Sequence, residues 1–332
     1  MPTLTDTQIR NAKPAERPVR LYDDRGLYLE LQDHFWPDTD KRPAPSIKAG
    51  IPENRRMPNA VSRLRAARLA RSLKPFLARG GFKRDRCEGC RLVHSHCMCA
   101  VRPLLRTRAG MCLLMADIEP LKPSNTGWLI ADMVIDTFAF GWARTEVDPA
   151  LLALLSDPQW QPYVVFPGEY AAPGRVVHSV QLPDIPGAEM ERRPLFVLLD
   201  GTWAEARKMF GRSPYLDHLP VLSLQPDRIS QYKLRRSRRD DHFCTSEVAA
   251  LCLDLAGEHV AEQTLTAYLA VFTHHYLQAK NQLPVAWDGT AHRRLRHLSS
   301  CVFAAPAIQS GSGLGAASGP VTPCRRRRSP AR

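Results

Sequence analysis

No stretch of this chain approaches the ~20 consecutive apolar residues that a membrane-spanning helix needs, and the Met1 end carries Asp6 where a secretory leader would be apolar. A cytoplasmic protein with no membrane partner is therefore expected. Acid is scarce relative to base: Asp and Glu number 33 against 46 Lys and Arg, a net charge of +13. Such an excess attracts polyanions at long range. Part of it lies in the arginine run 325–328, where a solvated tail is the simpler explanation. Wholesale disorder is excluded, because 44% hydrophobic and 24% charged residues out of 332 suffice for a normal core. Nine cysteines in a chain expected in a reducing compartment point to metal or buried thiols before disulfides.

Residues 60–77 place Ala66, Leu69, Ala70, Leu73 and Leu77 at helical spacing, with Arg68, Arg71 and Lys74 on other faces. A basic amphipathic helix is thus expected to lead into the cysteine cluster. Short apolar runs at 111–115, 138–142, 163–166, 195–199 and 221–224 read as buried strands, and helical patterns fall at 127–134, 203–210, 247–255 and 265–277. This alternation predicts an α/β fold whose sheet has parallel members. Pro37, Pro43, Pro45, Pro52 and Pro58 interrupt a linker without period, and from about 298 the chain turns Ser, Gly, Ala and Pro rich, so residues 298–332 are expected to be a disordered basic tail.

Cys87, Cys90, Cys97 and Cys99 form a CxxC plus CxC cluster. Four thiolates so close in sequence can close a tetrahedral zinc shell, and a closed shell has no open position, so the metal would be structural. His94 and His96 lie in the same loop, and either could replace a thiolate. In KPSNTGWLIAD, Ser124, Asn125, Thr126 and Gly127 open a helix after the 111–115 strand; they can cap it or offer backbone N–H groups to a carboxylate or ribose. Pro167 and Gly168 turn the chain after VVF, where a ligand can approach the backbone. PLFVLLD ends a buried strand in Asp200, and a helix carrying Trp203, Arg207 and Lys208 follows. An acid ending an apolar strand is costly unless hydrogen-bonded, so Asp200 either caps the next helix or does chemistry where open α/β sheets bind ligands. Lys233, Arg235, Arg236, Arg238 and Arg239 suit phosphate contacts; Thr245 or Ser246 can cap the next helix, and Glu247 in its first turn suits the helix dipole.

Taken in order, C-x2-C-x6-C-x-C, KPSNTGWLIAD, VVFPGEYA, LDGTWAEARKM, SPYLDHLP and CTSEVA resemble the DTW-domain proteins, and more narrowly their bacterial tRNA-uridine aminocarboxypropyltransferases. The resemblance covers about 61–282, roughly two-thirds of the chain. It implies an S-adenosylmethionine (SAM) binding domain similar to SPOUT methyltransferases, with a trefoil knot near the cofactor and a small N-terminal zinc loop at 84–102. The implied reaction moves the 3-amino-3-carboxypropyl group of SAM to N3 of a tRNA uridine, giving acp3U, usually in the variable loop. Asp200 and Trp203 then become catalytic candidates; Ser124, Asn125, Thr126, Gly127, Pro167, Gly168, Thr245 and Glu247 are cofactor-binding candidates, and Arg207, Lys208, Arg235, Arg236 and Arg238 RNA-binding ones. One departure is Trp128, where the family usually has Arg after NTG. The partner is tRNA, with no obligate protein partner, and the domain is expected over 60–297. Separately, LTDTQIRNAKPAERPVRLYDDRGLYLEL resembles the start of the arm-type DNA-binding domain of phage-like integrases, up to about residue 31. No integrase catalytic domain follows, so 1–59 is taken as a remnant plus linker. The rivals are a SAM-dependent RNA methyltransferase on a related fold and a non-enzymatic nucleic-acid-binding protein.

Overall fold

The structure, a computed structural model, describes residues 21–22, 28–29, 58–73, 76, 86–181, 192–224 and 243–304, with side chains only for those between 58 and 299. The chain divides into two compact units, 1–49 and 50–332. In the first, β1 (Leu21–Tyr22) pairs antiparallel with β2 (Tyr28–Leu29), Leu21 opposite Leu29 and Tyr22 opposite Tyr28.

The second unit follows the alternation of strands and helices that the apolar runs anticipate. β3 (Gly110–Met115), β4 (Thr137–Gly141), β5 (Trp160–Val165), β6 (Val176–Val177), β7 (Arg193–Asp200) and β8 (Val221–Leu222) form one sheet in the order β4-β3-β7-β5-β8-β6. Every neighbouring pair in it is parallel. Parallel strands covered on both faces are apolar without interruption rather than alternating. β3 shows this directly, with all six residues of GMCLLM buried.

Alternate β3 residues feed two cores. Met111, Leu113 and Met115 join Phe196, Leu198, Tyr163 and the helices α2 (Gly127–Met133), α5 (Thr245–Leu255) and α6 (His259–Asn281). Cys112 and Leu114 instead join Val164, Val197 and the helices α3 (Pro149–Ser156) and α4 (Trp203–Gly211). The result is a three-layer α/β/α arrangement. α1 (Ala60–Ala70) and α7 (Thr290–Ala304) complete the set of described helices. None of the described helices is long and apolar enough to cross a membrane.

Several local expectations are corrected. α1 stops at Ala70, and the stripe Ala66, Ala70 and Leu73 is not buried, Leu73 being fully exposed. The helix is seated by its first turn instead, through buried Ala60 and Val61 and through Asn59, whose side chain caps Ser62 N and also donates to Asp132. Arg68 adds a bidentate pair with Asp117 at 2.6 and 2.8 Å. Two helices escape the apolar-pattern reading. α3 is started by Asp148, which accepts from Ala150 N, followed by Pro149 at its first position, and α7 continues past residue 298 to Ala304, into the segment whose composition suggests disorder.

Candidate functional site

The order of the strands makes the site. After β3 the chain crosses outward to β4, whereas after β7 it crosses the opposite way to β8, and β3 and β7 are neighbours. The gap between their carboxyl ends is thus a topological switch point, where open α/β sheets hold ligands. Asp200 ends β7 opposite Met115, and its carbonyl accepts from Ala116 N at 2.9 Å. The loop leaving β3 returns over it through residues 116–126.

Asp200 is 3% exposed, and two side chains from distant parts of the chain hold its carboxylate. Asn125 Nδ2 donates to Oδ2 at 2.8 Å, and Thr245 Oγ1 donates to Oδ1 at 2.7 Å. The cap of the helix that follows is Thr202, through a capping box with Glu205. Thr245 is likewise released from capping, because Cys244 is the cap residue of α5 and Glu247 Oε2 accepts from Cys244 N at 2.8 Å. Glu247 therefore works in the helix start, and the Thr245 hydroxyl in the acid cluster.

Asn125 does two jobs. Its Oδ1 accepts from Gly127 N at 3.0 Å, closing the turn into α2, while Nδ2 also reaches Glu119 Oε2 at 3.2 Å. Gly127 is needed where it stands, since a Cβ there would lie 2.6 Å from Asp200 Oδ2. Thr126 reaches across to α5 and accepts from Ser246 N at 3.3 Å; Ser124 is half-buried in the same loop. The structure thus brings Asn125, Gly127, Asp200 and Thr245 into contact, with Thr126 beside them, while Glu247 stays in the start of α5. Sequence reasoning missed Glu119, which is 7% exposed and ion-paired to Lys122. The signal that could have found it is its place in the loop leaving the carboxyl end of buried β3, where open α/β sheets bind ligands.

Trp203 and the Pro167–Gly168 turn lie together beyond the end of β5. Phe166, directly after β5, stacks on Trp203 with centroids 5.4 Å apart and planes 11° apart. Gly168 N donates to Ser223 Oγ at 3.0 Å, and a Cβ on Gly168 would meet Val176 Cγ1 at 2.9 Å, so close packing accounts for this glycine. Arg207 and Lys208 are exposed on α4. Arg235, Arg236 and Arg238 lie outside the described residues.

The four cysteines converge. All four sulfurs lie within 4.8 Å of one another, with Cys97 to Cys87 at 3.5 Å, Cys87 to Cys99 at 3.6 Å and Cys90 to Cys97 at 3.7 Å. Zinc–sulfur bonds of ~2.3 Å in a tetrahedron place sulfurs about 3.8 Å apart, so this donor set fits a structural metal held by four thiolates. The two histidines stand outside it: His94 is exposed, and His96 Nε2 faces Leu283 O at 2.8 Å. Arg91, at φ 61°, makes the tight turn after CxxC, and Cys87 N closes it on Leu92 O at 2.8 Å.

This loop is tied to the acid cluster through α2. Arg102 pairs with Asp132 at 2.7 Å, and Asp132 also accepts from Tyr268 Oη at 2.9 Å. Burial raises the Asp132 carboxyl to about 6 despite the opposing pull of Arg102. Trp128 does not face the site at all. It is fully buried, edge-on to Phe272 and Tyr268, with the Arg91 guanidinium 4.9 Å above its ring. Burial lowers Arg91 to about 9, and its Nη1 donates to Pro120 O at 2.9 Å. The departure at 128 is therefore absorbed between α2 and α6 and leaves the acid cluster untouched.

No solved structure matches the chain. Among protein families, the DTW domain matches residues 84–277, a span that begins just before the cysteine loop and contains Asp200, Asn125 and Thr245. Because that span is more than half of the 332 residues, the chain belongs to the DTW-domain family.

Proposed function

We propose that this protein transfers the 3-amino-3-carboxypropyl group of SAM to N3 of a tRNA uridine, on a SPOUT-like domain, knotted near SAM, that extends over about residues 60–297, with zinc held by Cys87, Cys90, Cys97 and Cys99. Membership of the DTW-domain family is consistent with a tRNA-modifying function. The observation that carries the reading is the acid held between Asn125 and Thr245 at the switch point of the sheet, with a glycine pressed against it.

The sulfonium of SAM makes three carbons electrophilic, and orientation in the site selects which one reacts. In this reading Asp200 accepts the proton from uridine N3, the nitrogen pair forms a bond to the γ carbon, and the C–S electrons go to sulfur. Methylthioadenosine leaves neutral, so no metal is required at the reacting atoms. Ser124, Asn125, Thr126, Gly127, Thr245 and Glu247 line the SAM side, with Pro167, Gly168 and Trp203 opposite. Arg207, Lys208, Arg235, Arg236 and Arg238 contact phosphates, which gives salt-sensitive affinity and little base information. Residues 1–59 play no part in this reaction, and the cytoplasm is its place.

The test incubates tRNA with SAM labelled either in the methyl or in the aminobutyrate portion, followed by mass spectrometry of the nucleosides. Aminobutyrate label in acp3U is the expected result. Methyl label in the RNA would establish a methyltransferase instead, and label in neither would leave a binding protein. Asp200→Asn should retain the fold and SAM binding and lose transfer; unchanged transfer would remove Asp200 from the base role.

A further inference from the structure

Among the residues whose side chains are described, only two of Phe, Trp and Tyr type are exposed: Tyr170 at 40% and Trp203 at 41%. They are neighbours, with ring centroids 5.7 Å apart and planes at 74°. Both rest on a rigid column. Phe166 is stacked between Trp203 at 5.4 Å and Phe210 at 4.5 Å, with planes within 13°. Arg175 covers Phe210 from 5.9 Å and is itself fixed by bonds to Leu216 O and Leu219 O. Such a column is preorganised, so a further planar group would meet it without the rings having to be ordered first.

Cations lie beside the rings. The Arg207 guanidinium sits 5.4 Å from the Tyr170 ring centroid, and Lys208 is exposed on the same helix. The column also flanks the acid cluster: Phe166 directly follows β5, and Trp203 follows Asp200 by three residues. An exposed aromatic face joined to cations, on a chain of charge +13, fits an unpaired nucleobase, whose ring stacks while its phosphate meets Arg or Lys. A base inside a duplex has both faces covered by its neighbours and would not fit.

We propose that Tyr170, Trp203 and Arg207 form a stacking platform for an unpaired nucleotide of the RNA, which holds the single strand against the edge where Asp200 lies. This rests on the reading of the acid cluster as an RNA-modifying site, and Tyr170 is a positioning residue in it. Stacking on one aromatic ring is worth on the order of tenfold or more in affinity per base.

The experiment measures binding of a labelled hexauridine to the full chain by fluorescence anisotropy, for wild type, Tyr170→Ala, Tyr170→Phe and Arg207→Ala. A duplex of the same length serves as comparison, and SAM binding is followed by calorimetry. Expected are a loss of about tenfold for Tyr170→Ala, near wild-type binding for Tyr170→Phe, a weaker and more salt-dependent loss for Arg207→Ala, and unchanged SAM affinity. With tRNA as substrate, Tyr170→Ala should raise KM at a nearly constant kcat. Hexauridine affinity unchanged in Tyr170→Ala, an equal loss in Tyr170→Phe, or duplex binding that depends on Tyr170 as strongly would overturn the platform. Should the wild type transfer nothing from SAM, the reaction proposed above fails, while hexauridine binding still decides the platform on its own.

Discussion

Gly127→Ala is the smallest change that should separate chemistry from stability. The added methyl would start 2.6 Å from Asp200 Oδ2, 3.3 Å from Asn125 Oδ1 and 3.5 Å from Leu113 Cδ1. Reaching an ordinary contact of 3.4 Å requires about 0.8 Å of movement, and the carboxylate is the group that must yield, since Leu113 lies in the core. Lengthening the 2.8 Å bond from Asn125 by that much takes it out of hydrogen-bond range. Overpacking of this kind costs about 1–3 kcal/mol, and the better helix propensity of Ala returns up to about 1 kcal/mol. The net loss is then roughly 0–3 kcal/mol, or a fall in Tm of at most about 12 °C for a domain of this size. Misplacing a catalytic group by about 1 Å costs on the order of 100-fold in rate. The assay pairs thermal unfolding by circular dichroism with transfer of labelled aminobutyrate to tRNA. Gly211→Ala, where an added Cβ meets nothing within 4 Å, is the control and should change neither. Transfer within about threefold of wild type in a folded Gly127→Ala protein would refute the placement of Asp200 at the reacting atoms.

Replacing Cys87 and Cys90 by Ser should remove zinc from the purified protein and lower Tm on the order of 10 °C; equimolar zinc retained by the double variant would disprove the metal assignment. Trp128→Arg would place a second cation about 5 Å from the buried Arg91 guanidinium, and breaking the charge balance of a buried site costs about 3–5 kcal/mol. Soluble, equally stable Trp128→Arg protein by urea unfolding would show that this interior is wetter than the packing indicates. For Asp132, burial raises the folded pKa to about 6, above its unfolded value, so its contribution to stability is complete at low pH and is lost as pH rises through about 4 to 6. The stability of wild type minus that of Asp132→Asn, read by urea unfolding, should therefore fall across that window and level off above it; a difference that rises with pH would reverse the assignment.

Much of the sheet was legible because its strands are buried on both faces. GMCLLM, WQPYVV and RPLFVLLD need no alternation to be recognised, only an apolar run bounded by polar residues. The amphipathic stripe of α1 misled for a related reason. A moment shows which face is less polar, but the helix is anchored by the Val61 turn and the Asn59 bridge, neither of which contributes to the periodicity. α3 is short enough that its start signal, Asp148 before Pro149, says more than its eight residues of pattern. The role of Thr245 was obscured because a hydroxyl at a helix start is ordinarily a cap, and only the fold shows that Cys244 holds that position.

The sequence alone determined the cysteine loop, since four soft ligands within thirteen residues can meet with little help from the rest of the chain. It also determined that strands and helices alternate, because local apolar pattern and capping chemistry act over a few residues. What the tertiary structure decided is the acid cluster. Asn125 and Thr245 reach Asp200 from 75 and 45 residues away. Their meeting depends on β7 inserting between β3 and β5, a choice of strand order that no local propensity encodes and that arises only when the two apolar faces of the sheet are covered at once.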